Sequence, residues 1–285
     1  MANYFSILLT LVTLIAGLLW LFDAFVLKPK RKQGEAQNTI TEFGQSVFPV
    51  LAAVLVLRSF LYEPFQIPSG SMMPTLLKGD FILVEKFAYG VKDPVFRKQI
   101  IETGKPERGD IAVFKYPLEP NVDYIKRIVG LPGDRIVYRD KQLFIQPQCG
   151  NASECPPLDV KRNAVDAEQT YFSGGGSLNV YQETLGDIKH RILLDPRVRS
   201  RVPLFYEQPG TDSGEFIVPE GHYFAMGDNR DNSQDSRYWG FVPEEYLVGR
   251  AFFVWMSFEM DRSPDSVLPQ WVPTGVRFER LGSIE

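Results

Sequence analysis

The chain has 285 residues, 44% of them hydrophobic, which is enough for one or two domains with a proper core plus membrane anchors. Its formal net charge of −4 argues against a general nucleic-acid role. Two histidines and two cysteines leave little material for a histidine-based triad or a Cys/His metal site.

Residues 1–22 carry no charged side chain, and the apolar run 4–22 is long enough to cross a bilayer. A cleaved signal peptide would want basic residues before such a run and a small-x-small site after it. The chain instead starts Met-Ala-Asn-Tyr and leaves the run through Phe22, Asp23, Phe25 and Val26, so an uncleaved anchor over residues 1–27 is expected. Lys-Pro-Lys-Arg-Lys follows at 28–32, then a polar segment to Glu42. A second apolar run fills 43–57 and continues past Arg58 through Phe60, Leu61 and Tyr62. It is short for a span, but Arg58 near its end can snorkel to the headgroups. The competing reading is a buried helix of a soluble domain. With 43–62 as a span, 28–42 becomes the basic loop between anchors, and basic loops stay cytoplasmic. Both termini and everything after about Glu63 then lie on the far side of the membrane, with Ser71 close to its surface.

Residues 67–77 read Ile-Pro-Ser-Gly-Ser-Met-Met-Pro-Thr-Leu-Leu. Pro68 and Pro74 bias Ile67 and Met73 toward extended geometry, so the serines are expected on a stiff, extended segment. The flanks Phe65, Ile67, Met72, Met73, Leu76 and Leu77 are apolar. A hydroxyl on such a segment is a candidate nucleophile lying beside an extended peptide. The bland alternative is a Ser/Gly/Pro surface turn.

The rest reads as β-rich. Runs at 81–87, 111–116 and 124–129 are β-branched and aromatic, bounded by Gly, Pro and Asp. Runs 135–138 and 142–145 flank Arg139-Asp-Lys141 and suggest a hairpin, while Ile217, 223–226 and 248–258 suggest later strands. Helical periodicity is nearly absent beyond Leu57. From about 146 to 219 apolar runs thin out, and Pro156-Pro157, a Gly run at 174–176 and many charges appear. An inserted, looser subdomain is expected there. Cys149 and Cys155 within it would close a small loop as a disulfide in an oxidising compartment, for about 2 kcal/mol in the chain-entropy model; the alternative is two free thiols.

Lys126 and Arg127 are adjacent in Asp-Tyr-Ile-Lys-Arg-Ile-Val-Gly (123–130). On a strand they point to opposite faces, and both faces carry apolar neighbours. At least one cation therefore lies against apolar surface, though periodicity does not say which. Arginine stays protonated, whereas a buried lysine can lose its proton and deprotonate a serine. The alternative is a pair of snorkelling surface cations. Gly-Asp-Asn-Arg-Asp-Asn-Ser-Gln-Asp-Ser-Arg-Tyr-Trp-Gly (227–240) packs five charges of alternating sign between apolar runs. It suits either a solvated turn or a buried polar network that holds functional groups rigid.

These segments together resemble bacterial type I signal peptidase, the membrane-bound leader peptidase, in its Gram-negative form. The resemblance spans the chain: two spans with a basic loop, then Pro-Ser-Gly-Ser-Met-Met-Pro-Thr (68–75), then Tyr-Ile-Lys-Arg-Ile-Val-Gly-Leu-Pro-Gly-Asp (124–134), then Gly-Asp-Asn-Arg-Asp-Asn-Ser-Gln-Asp-Ser-Arg (227–237). It implies a mainly β fold: two N-terminal transmembrane helices, then an antiparallel β-rich catalytic domain over 63–285 with an inserted β-rich subdomain at about 146–219. It implies Ser71 as nucleophile and Lys126 as general base, where relatives in the endoplasmic reticulum and archaea place a histidine. The Ser69 hydroxyl and the Ser71 backbone N–H would form the oxyanion hole, and Ser233 would orient the lysine amine. Asp228, Arg230, Asp235 and Arg237 would form the supporting network, and the Cys149–Cys155 pair fits the Gram-negative version. No cofactor or metal is implied. The implied partners are signal peptides of secreted and envelope preproteins, cut after small-x-small (usually Ala-x-Ala) through an acyl-enzyme, together with membrane lipid and a neighbouring export translocon. Phe60, Leu61, Tyr62, Phe65 and Trp271 are candidates to rest in the bilayer surface. The implied location is the bacterial inner membrane, with the catalytic domain periplasmic. Two other readings are weighed beside this one: a serine hydrolase dependent on His222, and a non-catalytic anchored β-domain.

Overall fold

Ala2–Phe22 forms one helix (α1), which Asp23–Leu27 extends as a π-type turn. A second helix (α2, Thr39–Val56) begins at Asn38, whose side chain accepts the Ile40 N–H at 2.9 Å and so satisfies one of the helix's free donors. The computed structural model describes residues 2–32, 36–93, 98–148, 156–165, 170–173, 175–260, 266, 268, 269 and 271–284. Phe5–Lys30 and Thr39–Leu61 are long and apolar enough to cross a membrane, yet only 17% and 11% of their most apolar windows are buried. A core helix would bury far more, so this exposure suits lipid and not water. Between the helices the buried Asp23 accepts hydrogen bonds from Arg31, Gln37 and Thr41 and ties the connection together.

Beyond the helices the chain is strand after strand: β1 (Tyr62–Gln66), β2 (Asp80–Glu85), β3 (Val91–Lys92), β4 (Gln99–Ile101), β5 (Ile111–Tyr116) and β6 (Glu119–Gly130). Next come β7 (Arg135–Arg139), β8 (Gln142–Gln146), β9 (Arg162–Ala164), β10 (Tyr171–Ser173), β11 (Gly176–Leu185) and β12 (Ile188–Leu194). The last are β13 (Glu215–Ile217), β14 (His222–Met226), the single helical turn α3 (Ser236–Trp239), β15 (Val242–Pro243), β16 (Leu247–Glu259), β17 (Gly275–Val276) and β18 (Gly282–Ser283). Two compact units result: Met1–Glu63 with Gly90–Gly104, and Pro64–Tyr89 with Lys105–Glu285. The short β3–β4 ladder thus belongs with the helices.

The main sheet runs β1-β2-β16-β5-β6-β14-β15, with β17 and β18 also on β16. Its pairings given in register are antiparallel. β2 alternates as the pleat requires, with Asp80, Ile82 and Val84 buried and Phe81, Leu83 and Glu85 half-buried. Register places Ala112 opposite Lys126, and Ile111 and Met226 on either side of Arg127. The β7–β8 hairpin turns at Asp140 and Lys141, both at positive φ, the geometry that matches strand twist in a two-residue loop.

The stretch 146–219 is more ordered than its composition suggests. Its β11–β12 hairpin pairs seven residue couples, from Asn179↔Leu194 to Leu185↔Ile188. Its later part is not an appendage, since β13 pairs β7 and Phe205, Phe216 and Val218 pack with Val129, Ile136 and Phe224. Cys149 and Cys155 lie outside the described residues.

Candidate active site

The segment 67–77 is not extended. After β1 it bends at Ser69 and Gly70 and turns through Ser71–Thr75, closed by Met73 N–H to Gly70 O at 3.2 Å and Leu76 N–H to Met72 O at 2.9 Å. Local backbone hydrogen bonds outweigh the bias that the two prolines impose. The apolar flanks anchor the turn: Ile67, Met72 and Leu76 are buried in one cluster with Ile82, Val84 and Val113. Ser71, 9% exposed, is fixed from outside the turn as well. Asn229 donates its backbone N–H to Ser71 O and its side-chain amide to Gly70 O, each at 3.0 Å. Gly227 has to be glycine for the same reason, because a Cβ there would lie 2.6 Å from Ser71 O.

β6 carries Lys126 to this turn. Its amine lies 2.8 Å from Ser71 Oγ and 2.9 Å from Ile125 O, and the residue is only 4% exposed. Burial pushes its pKa down to about 8; the carboxylates of Asp235 and Asp228 oppose the fall and Arg237 adds to it. A substantial neutral fraction near neutral pH follows. Ser69 Oγ lies 3.4 Å from Ser71 Oγ.

Arg127, the next residue, is also buried, so neither cation snorkels at the surface. Its guanidinium binds both Asp228 oxygens, at 2.9 and 2.8 Å, and Gly109 O at 2.8 Å. Thr75 donates its hydroxyl to Asp228 Oδ2 at 2.5 Å. Burial alone would raise the Asp228 carboxyl, but Arg127 holds it below the ordinary range. Asp235 is held down in the same way, burial being outweighed by Arg237, whose Nε and Nη2 lie 2.8 Å from its two oxygens. Asp235 also accepts the Gly227 N–H at 3.0 Å, and Arg237 Nη2 reaches Arg230 O at 2.6 Å. The segment 227–240 is therefore a buried network and not a solvated turn.

Ser233 is buried, and its Oγ faces Gly227. The Lys126 amine bonds Ser71 and Ile125, not Ser233, so the expected orienting contact is not formed. His222 Nδ1 lies 2.9 Å from the Glu220 carbonyl, a local contact within the turn before β14. The sequence reading missed two contributors, Asn229 and Thr75, which lie inside its motifs without a role. Behind Asp228, the buried His190 Nε2 lies 4.0 Å from Asp228 Oδ1 and 3.3 Å from the buried Glu183 Oε1. Glu183 and His190 lie in the stretch without motifs, where no sequence signal marks them. Among the described residues no group of three or more His, Cys, Asp or Glu side chains is arranged to hold a metal.

A family model described as "Signal peptidase, peptidase S26" matches residues 40–256. The chain belongs to this signal peptidase family. Signal peptidase I from Buchnera aphidicola (subsp. Acyrthosiphon pisum) is 43% identical, with all of both chains covered. Signal peptidase I from Pseudomonas fluorescens is 45% identical over 90% of this chain and 93% of its own, and that from Haemophilus influenzae 39% identical over 98% and 91%. An S26 signal peptidase removes signal peptides as a serine protease, and the matched region contains both Ser71 and Lys126. The two apolar helices fit a membrane-anchored member of the family.

Proposed function

We propose that Ser71 and Lys126 form the catalytic dyad and that preproteins are cut after a small-x-small motif. The observation that carries this is the 2.8 Å contact between a buried serine hydroxyl and a buried lysine amine whose pKa is about 8. Neutral Lys126 takes the Ser71 proton as Oγ attacks the scissile carbonyl carbon. The tetrahedral oxyanion is met by the Ser69 hydroxyl and the Ser71 N–H. As the C–N bond breaks, Lys126 returns the proton to the leaving amine and an ester to Ser71 is left. Lys126 then deprotonates water, which attacks the ester, releases the signal peptide and restores the Ser71 hydroxyl. Asp235, Arg237, Asp228 and Arg230 support the dyad, and Ser233 packs against Gly227 beside them.

The partly exposed Phe65 and Ile125, backed by the buried Ile67, Met72 and Ile82, suit the small apolar side chains upstream of the cut, with the peptide extended along a strand. The substrates are preproteins that bring their signal peptides through the inner membrane near an export translocon. Residues 28–42 face the cytoplasm and the catalytic domain the periplasm. The test is preprotein cleavage by the full-length protein in vesicles. Ser71→Ala and Lys126→Ala should each abolish processing while the proteins stay folded. Processing that survives both substitutions would end this assignment.

A further inference from the structure

We propose that Glu183, on the β11–β12 hairpin, is a positioning residue for the nucleophile, acting through Arg230. Three consecutive residues, Asp228, Asn229 and Arg230, mediate between hairpin and turn. Toward the nucleophile, Asn229 holds Gly70 O and Ser71 O, each at 3.0 Å, and Asp228 holds Thr75 and Arg127. Toward the hairpin, Leu193 N–H donates to Asp228 O at 2.9 Å, and Arg230 N–H donates to Leu193 O at 3.1 Å. Glu183 completes the grip by accepting both guanidinium nitrogens of Arg230, Nη1 on Oε2 at 2.9 Å and Nη2 on Oε1. Both side chains are about 1% exposed. Burial would raise the Glu183 carboxyl, but Arg230, with His190 Nε2 3.3 Å away adding to it, brings it down to about 2, so the pair is ionic at any working pH.

A buried ion pair is a poor stabiliser next to an apolar pair of the same size, but it fixes one geometry, because neither charge tolerates displacement. Here that geometry sets where the Asn229 amide meets Ser71. The stretch whose composition suggested a loose insert therefore supplies one wall of the catalytic turn. A misplacement of about 1 Å can cost on the order of 100-fold in rate when the reacting groups share one hydrogen bond.

The inference rests on the Ser71–Lys126 reading, and the test separates the two. Full-length wild type, Glu183→Gln and Glu183→Asp are assayed on a preprotein, with circular dichroism to confirm folding. Leu185→Ala serves as the control: it lies two residues further along β11, is buried in the core, and lowers stability by lost packing while leaving the Glu183–Arg230 pair in place. Glu183→Gln should lose between about tenfold and about 100-fold in kcat with KM nearly unchanged, and Glu183→Asp should recover part of the loss. Where Glu183→Gln does not fold, a folded Glu183→Asp with reduced kcat gives the same support. A folded Glu183 variant with wild-type kcat overturns the inference, as does an equal kcat loss in Leu185→Ala at a matched fall in Tm. Activity surviving in Ser71→Ala or Lys126→Ala would defeat the dyad reading instead, whatever Glu183→Gln does.

Discussion

The charge state of Lys126 should set the acid limb of the pH–rate profile. An amine at its ordinary 10.5 would be about 0.03% neutral at pH 7, whereas at about 8 it is roughly 10% neutral. The shift is worth roughly 300-fold in available base, or about 3 kcal/mol, and its source is burial. In the proposed dyad the catalytic form is the neutral amine, which fixes the sign: kcat/KM should rise about tenfold per pH unit from 6 to 7.5 and level off above 8. The assay is initial-rate cleavage of a preprotein by the full-length protein across pH 6–9.5, below saturation, with circular dichroism confirming the fold at each pH. Lys126→Arg keeps the charge on a longer, forked side chain that stays protonated throughout, so it should be inactive at every pH and not merely shifted. A flat profile between pH 6 and 8 with chemistry rate-limiting, or measurable turnover by Lys126→Arg, would refute the mechanism.

Ser69→Ala removes a proposed oxyanion donor and should lower kcat by about 10²–10³-fold with little change in KM, while Ser69→Thr should keep most of the activity; stopped-flow cleavage of a fluorogenic peptide measures both. Asp228→Asn leaves Arg127 buried without its partner and should destabilise the fold by about 3–5 kcal/mol in urea titrations. It also removes a carboxylate that raises the Lys126 pKa, so any residual activity should titrate at lower pH than wild type. His222→Gln should process preproteins normally, since its ring Nδ1 is engaged by a neighbouring carbonyl; loss of cleavage in that variant would favour a histidine base. Stability should fall on acidification from about pH 6.5 downward. Burial holds His190 below its ordinary 6.5, so protons bind the unfolded chain first, and Glu183, at about 2 against 4.5, adds roughly 3 kcal/mol that is lost between those values.

The two members of the proposed dyad were legible as candidates in the sequence because each sits in a long local pattern. The strands around Lys126 announced themselves by β-branched runs, and β5 spans the run 111–116 as expected. The apolar anchors were legible by length alone. Hidden were features created by long-range pairing. β11 buries Leu178 and Val180, then slips phase and buries Glu183 and Leu185. A charged residue at an inward position reads as a solvent-facing one, so the alternation that marks a strand was masked by the residue that matters most there. The turn at Ser71–Thr75 was misread for a related reason. Proline restricts only its neighbour, whereas the turn is closed by backbone hydrogen bonds and by Asn229, which lies 158 residues beyond Ser71 in sequence.

In the proposed dyad the adjacent Lys126 and Arg127 have unlike tasks. They share one strand, one depth and nearly one exposure, 4% and 2%. Arg127 faces a carboxylate on two nitrogens and keeps its charge. The Lys126 amine faces a hydroxyl and a carbonyl, neither of which repays the loss of water, so its proton is weakly held. Asp228 and Asp235 act on Lys126 only at longer range and are already committed to Arg127 and Arg237. If either carboxylate were freed to bind the amine directly, Lys126 would become an ordinary ion-pair lysine, protonated at pH 7 and useless as a base. In the proposed mechanism the paired arginines thus contribute without touching substrate, by occupying the carboxylates that would otherwise keep Lys126 charged.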